Sequence, residues 1–343
     1  MNSLNLFGWT AEVHEQWLAQ SSESCEPARV VRVDRGLVTV VAADGEHRLP
    51  LAGRLRQSDL VVAVGDWATI TAECVTGLLP RRNALVRRDT DGSACGQVIA
   101  ANVDLVLVTV ALTEAVRVRK LERYLAFARS SAAEPLVVLT KSDLCLDLPA
   151  AVDDAVAVSG GVAVHSVSAM TGEGVDEVLA ALVPGTTVVV VGPSGTGKST
   201  LANALGAERA QATGAIRADG RGRHTTTRRE MLRLRGGALV IDTPGLRSLE
   251  LWDAGEGIAS TFNDVAELAE QCRFRDCSHR TEPGCAVNEA VDEGRLTGDR
   301  IDGFVKLQRE EERLAAKVDG RLRAERNRRQ RAFHRSLRDQ PSR

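Results

Sequence analysis

Aromatic side chains are scarce in this chain: one Tyr, four Trp and six Phe among 343 residues. A stacking platform for single-stranded bases is therefore not expected as its main device. Long apolar runs are missing too. None approaches the ~18 residues that a bilayer-spanning helix needs, and the N-terminus lacks the basic-then-apolar pattern of a secretory signal. A cytoplasmic, reducing location with no membrane association is the expectation. Disulfides are not expected either. The seven cysteines are an odd number, and three of them fall with a histidine between positions 272 and 285, which argues for a metal site. With 43% hydrophobic and 26% charged residues, the composition is globular rather than disordered. At ~100–200 residues per domain the length fits two or three domains.

Net charge is small at −2, but it is unevenly spread. From Arg321 to Arg343 there are nine Arg against Glu325 and Asp339, a net of +7, which leaves −9 on residues 1–320. A basic end on an acidic body suits contact with a polyanion, because each Arg on a phosphate releases counterions. A solvated helical tail fits the same feature equally well.

Three textures follow one another. After a short amphipathic stretch (Trp9 to Leu18), short β-type runs occupy the region from Ala28 to Thr71, with a hairpin signal at Asp44-Gly45. Four or five short strands in so few residues predict a small barrel, best an OB-fold, with an SH3-like barrel fitting nearly as well. Next, apolar strands such as Val103–Val110, Leu136–Leu139 and Thr187–Val191 alternate with helical patterns, which predicts a doubly wound parallel α/β sheet. Beyond Thr261 the pattern is helix, cysteine-rich loop and a long charged helix from about Arg300 to Leu337. The expected domains are 1–95 (N-terminal extension and OB-fold barrel), 96–260 (α/β P-loop domain) and 261–343 (helical zinc-binding domain with the Arg-rich tail).

Gly192, Pro193, Ser194, Gly195, Thr196, Gly197, Lys198 and Ser199 match G-x-x-x-x-G-K-[ST], and Thr200 follows. The match sits after a predicted strand and opens a predicted helix, as a phosphate-binding P-loop requires. Its glycines let backbone N–H groups wrap phosphates, Lys198 would reach the β/γ-phosphates and Ser199 would hold Mg²⁺. Asp242-Thr-Pro-Gly245 ends another strand, where Asp242 can hold Mg²⁺ through water and the Gly245 N–H can meet the γ-phosphate. Thr140, Lys141, Ser142 and Asp143 end a third. Asp143 can accept both N1–H and N2–H of guanine, a pair that adenine cannot offer, while the Lys141 stem covers the ring. Ser168 and Ala169 could approach guanine O6 from the backbone. All these loops lie at carboxyl ends of strands, where open α/β sheets bind ligands.

The order is unusual. The guanine-reading segments precede the P-loop, whereas in most GTPases they follow it. That is a circular permutation, and it sets whatever follows Gly245 beside a nucleotide-sensitive loop. Downstream, Cys272, Cys277, His279 and Cys285 form a Cys₃His set within fourteen residues. Thiolates and an imidazole in a tight loop suit tetrahedral Zn²⁺ with no open position, hence one structural zinc. Cys25, Cys74, Cys95 and Cys145 are most simply small core residues.

Taken together, the barrel, the permuted motif order, Gly-Arg-His-Thr-Thr-Thr at 222–227, Asp-Thr-Pro-Gly-Leu at 242–246 and the Cys/His spacing resemble the RsgA (YjeQ/YloQ) family of circularly permuted GTPases. The resemblance covers nearly the whole chain. It implies an OB domain, a permuted GTPase and a zinc domain, with GTP hydrolysed to GDP in the maturation of the small ribosomal subunit. Partners would be that subunit and its ribosomal RNA, and the protein a monomer. Thr140 departs from the Asn usual at the head of the guanine loop, and its shorter side chain offers less to purine N7 and the P-loop.

Leu246 occupies the place where many GTPases keep a water-orienting Gln. His224 is the best replacement, and in proteins that this one resembles the matching His has that role; a neutral imidazole could orient water or accept its proton. Thr226, or failing it Thr225, would complete the Mg²⁺ shell. Two other classes fit the same P-loop: an ATP-dependent kinase or ATPase, and an RNA-binding scaffold that holds nucleotide without turnover.

Overall fold

The computed structural model describes residues 3–20, 24–34, 36–58, 60–88, 96–209, 229–242, 254–275, 277–279 and 282–313. Two compact units result: Met1–Val86 with Val98–Leu249, and Arg87–Gln97 with Glu250–Arg343. Among the described residues no helix is long and apolar enough to cross a membrane.

The first unit begins with a 3₁₀ turn (Ser3–Phe7) and α1 (Ala11–Gln20), followed by a barrel of β1 (Glu26–Val33), β2 (Leu37–Val41), β3 (Glu46–Pro50), β4 (Trp67–Ile70) and β5 (Val75–Leu78). Antiparallel ladders join β1 to β2 and β4, β2 to β3, and β4 to β5. A parallel bridge between Leu51 and Val75 closes the ring, giving the circular order β1-β2-β3-β5-β4. The β2–β3 hairpin turns at Asp44-Gly45, where Ala42 N donates to Gly45 O (2.8 Å). Ala28, Val30, Val38, Val40, Ala68 and Ile70 fill the interior, at the period of two that a pleated strand imposes.

Two local features differ from the pattern reading. A short helix, α2 (Gly53–Gln57), lies between β3 and β4. Residues 61–64 are not a strand. Side-chain bonds hold the chain there instead: Ala63 N donates to Asp66 Oδ2 (2.8 Å), and Arg81 reaches both Asp66 oxygens at 2.6 and 2.8 Å. Gly65 (φ +94°) lies so close to Ala101 O that a Cβ would come within 2.1 Å.

Strands β6 (Ala84–Arg88) and β7 (Gly96–Ala101) pair as a small separate sheet. The main sheet then builds through β8 (Leu105–Ala111), α3 (Val118–Arg129), β9 (Glu134–Thr140), α4 (Leu148–Ser159), β10 (Val164–Val167), α5 (Val175–Ala180), β11 (Thr187–Val191), α6 (Lys198–Ala204), β12 (Glu208–Arg209), β13 (Glu230–Arg233) and β14 (Leu239–Asp242). Its order is β10-β9-β8-β11-β14-β13, and the first five strands are parallel. Strand β13 is antiparallel to β14, so the sheet is mixed rather than wholly parallel. Residues 234–238 form a tight turn with Gly237 at φ +85°, and so short a link can join only antiparallel strands. The sheet continues into the barrel through one residue pair, Arg32 with Glu230.

Arg29 reinforces that junction. Its side chain is buried, donates to Thr187 Oγ1 at 2.8 Å and lies 4.6 Å from the Trp67 ring centre. Burial pulls its pKa down to about 10, which leaves it charged at neutral pH.

The second unit contains α7 (Gly255–Thr261), α8 (Asn263–Ala269), α9 (Ala286–Asp292) and a helix over 298–313. Phe262 and Phe304 meet at 5.5 Å between ring centres, with Ile258, Val265, Val287 and Leu307 buried. Arg300 ties the last helix to α8 through Asp264 (3.0 Å) and to α7 through Thr261 O (2.7 Å).

Candidate functional site

The ladder register brings three of the expected loops to one edge of the sheet. Thr140 pairs with both Ala111 and Val167, and Val191 with Val108, so β8, β9, β10 and β11 finish side by side. The central strands β8, β9 and β11 are mostly apolar with buried interiors, whereas β10 (Val-His-Ser-Val) is half-buried, and the loops that follow are displayed at one rim.

The phosphate-loop candidate leaves β11 at Gly192 and enters α6 at Lys198. Gly192, Gly195 and Gly197 have φ of +149°, +83° and +80°, values that side-chain-bearing residues rarely adopt. Gly192 has a second constraint: a Cβ there would lie 2.2 Å from Thr109 Oγ1. Lys198 Nζ is held over the loop, donating to Gly192 O (2.8 Å) and Pro193 O (2.7 Å). Thr196 is buried, while Ser194, Gly195, Ser199 and Thr200 are half-buried or exposed. A loop of accessible backbone with an ammonium folded across it suits a polyphosphate.

Thr140, Lys141, Ser142 and Asp143 form the neighbouring loop. Lys141 takes a left-handed conformation (φ +60°), which turns the chain sharply off β9. Ser142 is buried and its Oγ has no hydrogen-bond partner among the described residues, while Asp143 is exposed. Thr140 reaches the phosphate loop despite its short side chain: Oγ1 donates to Thr196 O at 2.7 Å. Ser168 is fully buried in a tight turn after β10. Its N donates to Glu173 O (2.9 Å), and its Oγ accepts from Thr171 N (3.2 Å). Ala169 follows, half-buried.

Asp242 is the last residue of β14, paired with Glu230; its side chain, with Gly245, His224, Thr225, Thr226 and the tail Arg321–Arg343, lies outside the described residues.

In the second unit Cys272, Cys277, His279 and Cys285 offer one ligand atom each, all within 4.8 Å of one another. Cys272 Sγ lies 3.9 Å from Cys285 Sγ, and His279 Nδ1 lies 3.6 Å from both sulfurs. Their positions follow from the chain: Cys272 ends the α8 turn, His279 sits in a left-handed kink (φ +55°), and Cys285 caps α9, accepting from Asn288 N at 3.5 Å. Arg273 N donates to Gly284 O (3.0 Å) and pins the loop's two ends together. Burial, with the neighbouring thiols adding to it, pushes the Cys277 thiol up to about 11, and burial lowers His279. Ionised together, thiols so crowded would need a cation among them, and this donor set fits one.

Sequence comparison bears directly on this pairing of a permuted phosphate loop with a Cys/His cluster. The RsgA GTPase signature matches residues 78–252. A small ribosomal subunit biogenesis GTPase RsgA from Streptomyces coelicolor is 48% identical over 333 residues, covering 94% of this chain and 91% of its own. The chain belongs to the RsgA GTPase family. A second RsgA, from Syntrophotalea carbinolica, is 41% identical over 90% of this chain and 89% of its own. Among solved structures, YjeQ from Thermotoga maritima superposes with a TM-score of 0.63 at 29% identity, covering 82% of this chain and 97% of that one. YloQ, described as a circularly permuted GTPase, gives 0.63 at 25% identity over 86% and 98%. The permuted order read from the motifs is thus the RsgA order.

Sequence reasoning passed over one residue at this rim. Thr109 is the only hydroxyl in the apolar interior of β8, and it is fully buried against the phosphate loop. Its signal was that lone polar side chain within a valine and leucine run.

Proposed function

We propose that this protein hydrolyses GTP to GDP and phosphate as a late maturation factor of the small ribosomal subunit, acting as a monomer in the cytoplasm and stimulated by that subunit. The observation that carries the reading is the convergence of the 192–199 loop, the 140–143 loop and the 168–169 turn on one sheet edge in the RsgA motif order. The division of labour follows the chain. Residues 1–95 would form the N-terminal extension and an OB-fold barrel, a reading supported by the circular order β1-β2-β3-β5-β4 and the helix between β3 and β4; residues 96–260 would bind nucleotide, and residues 261–343 would carry the metal site and the basic tail. Barrel, metal unit and tail together would hold ribosomal RNA.

The backbone N–H groups of residues 194–200 and the Lys198 ammonium bind the phosphates, with Gly192 and Pro193 shaping the loop. Asp143 selects guanine, Lys141 covers the ring, Thr140 and Ser142 shape the base loop, and Ser168 and Ala169 approach the base edge. Ser199, Asp242 and Thr226 would hold Mg²⁺, which when bound neutralises charge between the β- and γ-phosphates. Gly245 N–H meets the γ-phosphate. His224 orients the attacking water and takes its proton, since Leu246 cannot. Cys272, Cys277, His279 and Cys285 would hold one structural Zn²⁺, a set of four N/S donors leaving no coordination position for substrate.

The test is phosphate release from GTP and from ATP, with and without purified small ribosomal subunits, by wild type and His224→Ala. Selective GTP turnover that rises with subunits and is lost in the variant is expected. Turnover of ATP, or indifference to subunits, overturns the proposal.

A further inference from the structure

Three hydroxyls tie the phosphate loop to the strands beside it. Thr109 Oγ1, from β8, donates to Val191 O at 2.9 Å and lies 2.9 Å from Thr196 Oγ1. Thr196 Oγ1 also lies 2.9 Å from Pro193 O. Thr140 Oγ1, from β9, donates to Thr196 O at 2.7 Å. Thr109 and Ser168 are fully buried, and Thr196 and Thr140 nearly so; water is not at hand to replace a lost partner.

A hydroxyl carries one proton, so the assignment is constrained. With the Thr109 proton on Val191 O, the Thr196 proton serves Thr109 Oγ1, and Pro193 O takes its proton from Lys198 Nζ at 2.7 Å. Every acceptor in the chain is then satisfied. Thr109 is also the floor of the loop, since Gly192 packs directly on it.

We propose that Thr109 is a positioning residue for nucleotide: with Thr196 it latches the phosphate loop in its receiving shape, and through Thr140 it couples that loop to the guanine-reading loop. This rests on the GTPase reading above, and the test separates the two.

The measurement is the Kd of GDP and of GTP, with KM and kcat for GTP, for wild type, Thr109→Val, Thr109→Ser and Thr196→Val. Valine keeps the volume of Thr109 and removes the hydroxyl, whereas serine keeps the hydroxyl and leaves a cavity. A residue that only packs would make serine the worse variant. The latch predicts the reverse: Thr109→Val binds GDP and GTP about tenfold more weakly (~1.4 kcal/mol), raising KM with kcat kept, and Thr109→Ser binds within about twofold of wild type. Thr196→Val, on the loop rather than in the sheet, should lose affinity in the same way and keeps the test open if Thr109→Val does not fold. Wild-type affinity in both valine variants, or a larger loss in serine than in valine, overturns the latch. Wild type that binds neither GDP nor GTP overturns the GTPase reading instead.

Discussion

The two candidate sites are built to hold ligands by opposite means. At the sheet rim the backbone would do the binding: the loop glycines take positive φ, and buried hydroxyls and strand ladders keep them in place. In the helical unit four side chains converge across a short loop, and the cluster itself joins α8 to α9. One site is preorganised by a core formed without the ligand. The other is a staple for a unit whose helices α7, α8 and α9 are seven residues each, too short to persist on their own propensity. The difference teaches that the first site should be sensitive to added atoms and the second to lost donors.

The largest effect expected is on the helical unit. Chelation, or Cys285→Ser, should unfold it, as structural zinc supplies on the order of 10 kcal/mol in small domains; GDP binding at the sheet rim should survive. Far-UV circular dichroism with parallel GDP titration checks both halves, and retained helix after complete metal removal would break the comparison. Next comes Gly192→Ala. One methyl set against Thr109 should weaken GDP binding roughly a hundredfold or more while metal content, measured by elemental analysis, stays at wild type.

Turnover separates from binding at His224. His224→Ala should lower kcat by roughly 100- to 1,000-fold, with GTP affinity held within about threefold of wild type; equal losses in both would make His224 a ligand rather than a base. The smallest of the four is on selectivity. Asp143→Ala should cut the preference for GDP over ADP by at least about tenfold, the cost of a missing pair of hydrogen bonds to the base. Unaltered preference would remove Asp143 from the base pocket.

Much of this was readable from pattern. The strand Thr187–Val191 and the hairpin at Asp44-Gly45 occur where periodicity and turn chemistry place them, because each is decided by neighbours in sequence. Helix α2 and the irregular segment 61–64 were not legible. The latter is held by Asp66 and Arg81, fifteen residues apart. The antiparallel direction of β13 was not legible from the alternation of strands and helices; it follows from the tight 234–238 link to β14.

By itself the sequence determined the donors and their order: a permuted set of nucleotide loops, then a Cys₃His spacing too tight to be shared between distant elements. These are local facts, since a motif fixes its own backbone over a few residues. Only the tertiary structure decided that Thr109 supports Thr196, 87 residues away, and that Thr140, 56 residues from the same loop, binds its carbonyl. Hydrogen bonds across parallel strands depend on register, and register is set by the packing of whole strands against helices rather than by any run of residues within one of them.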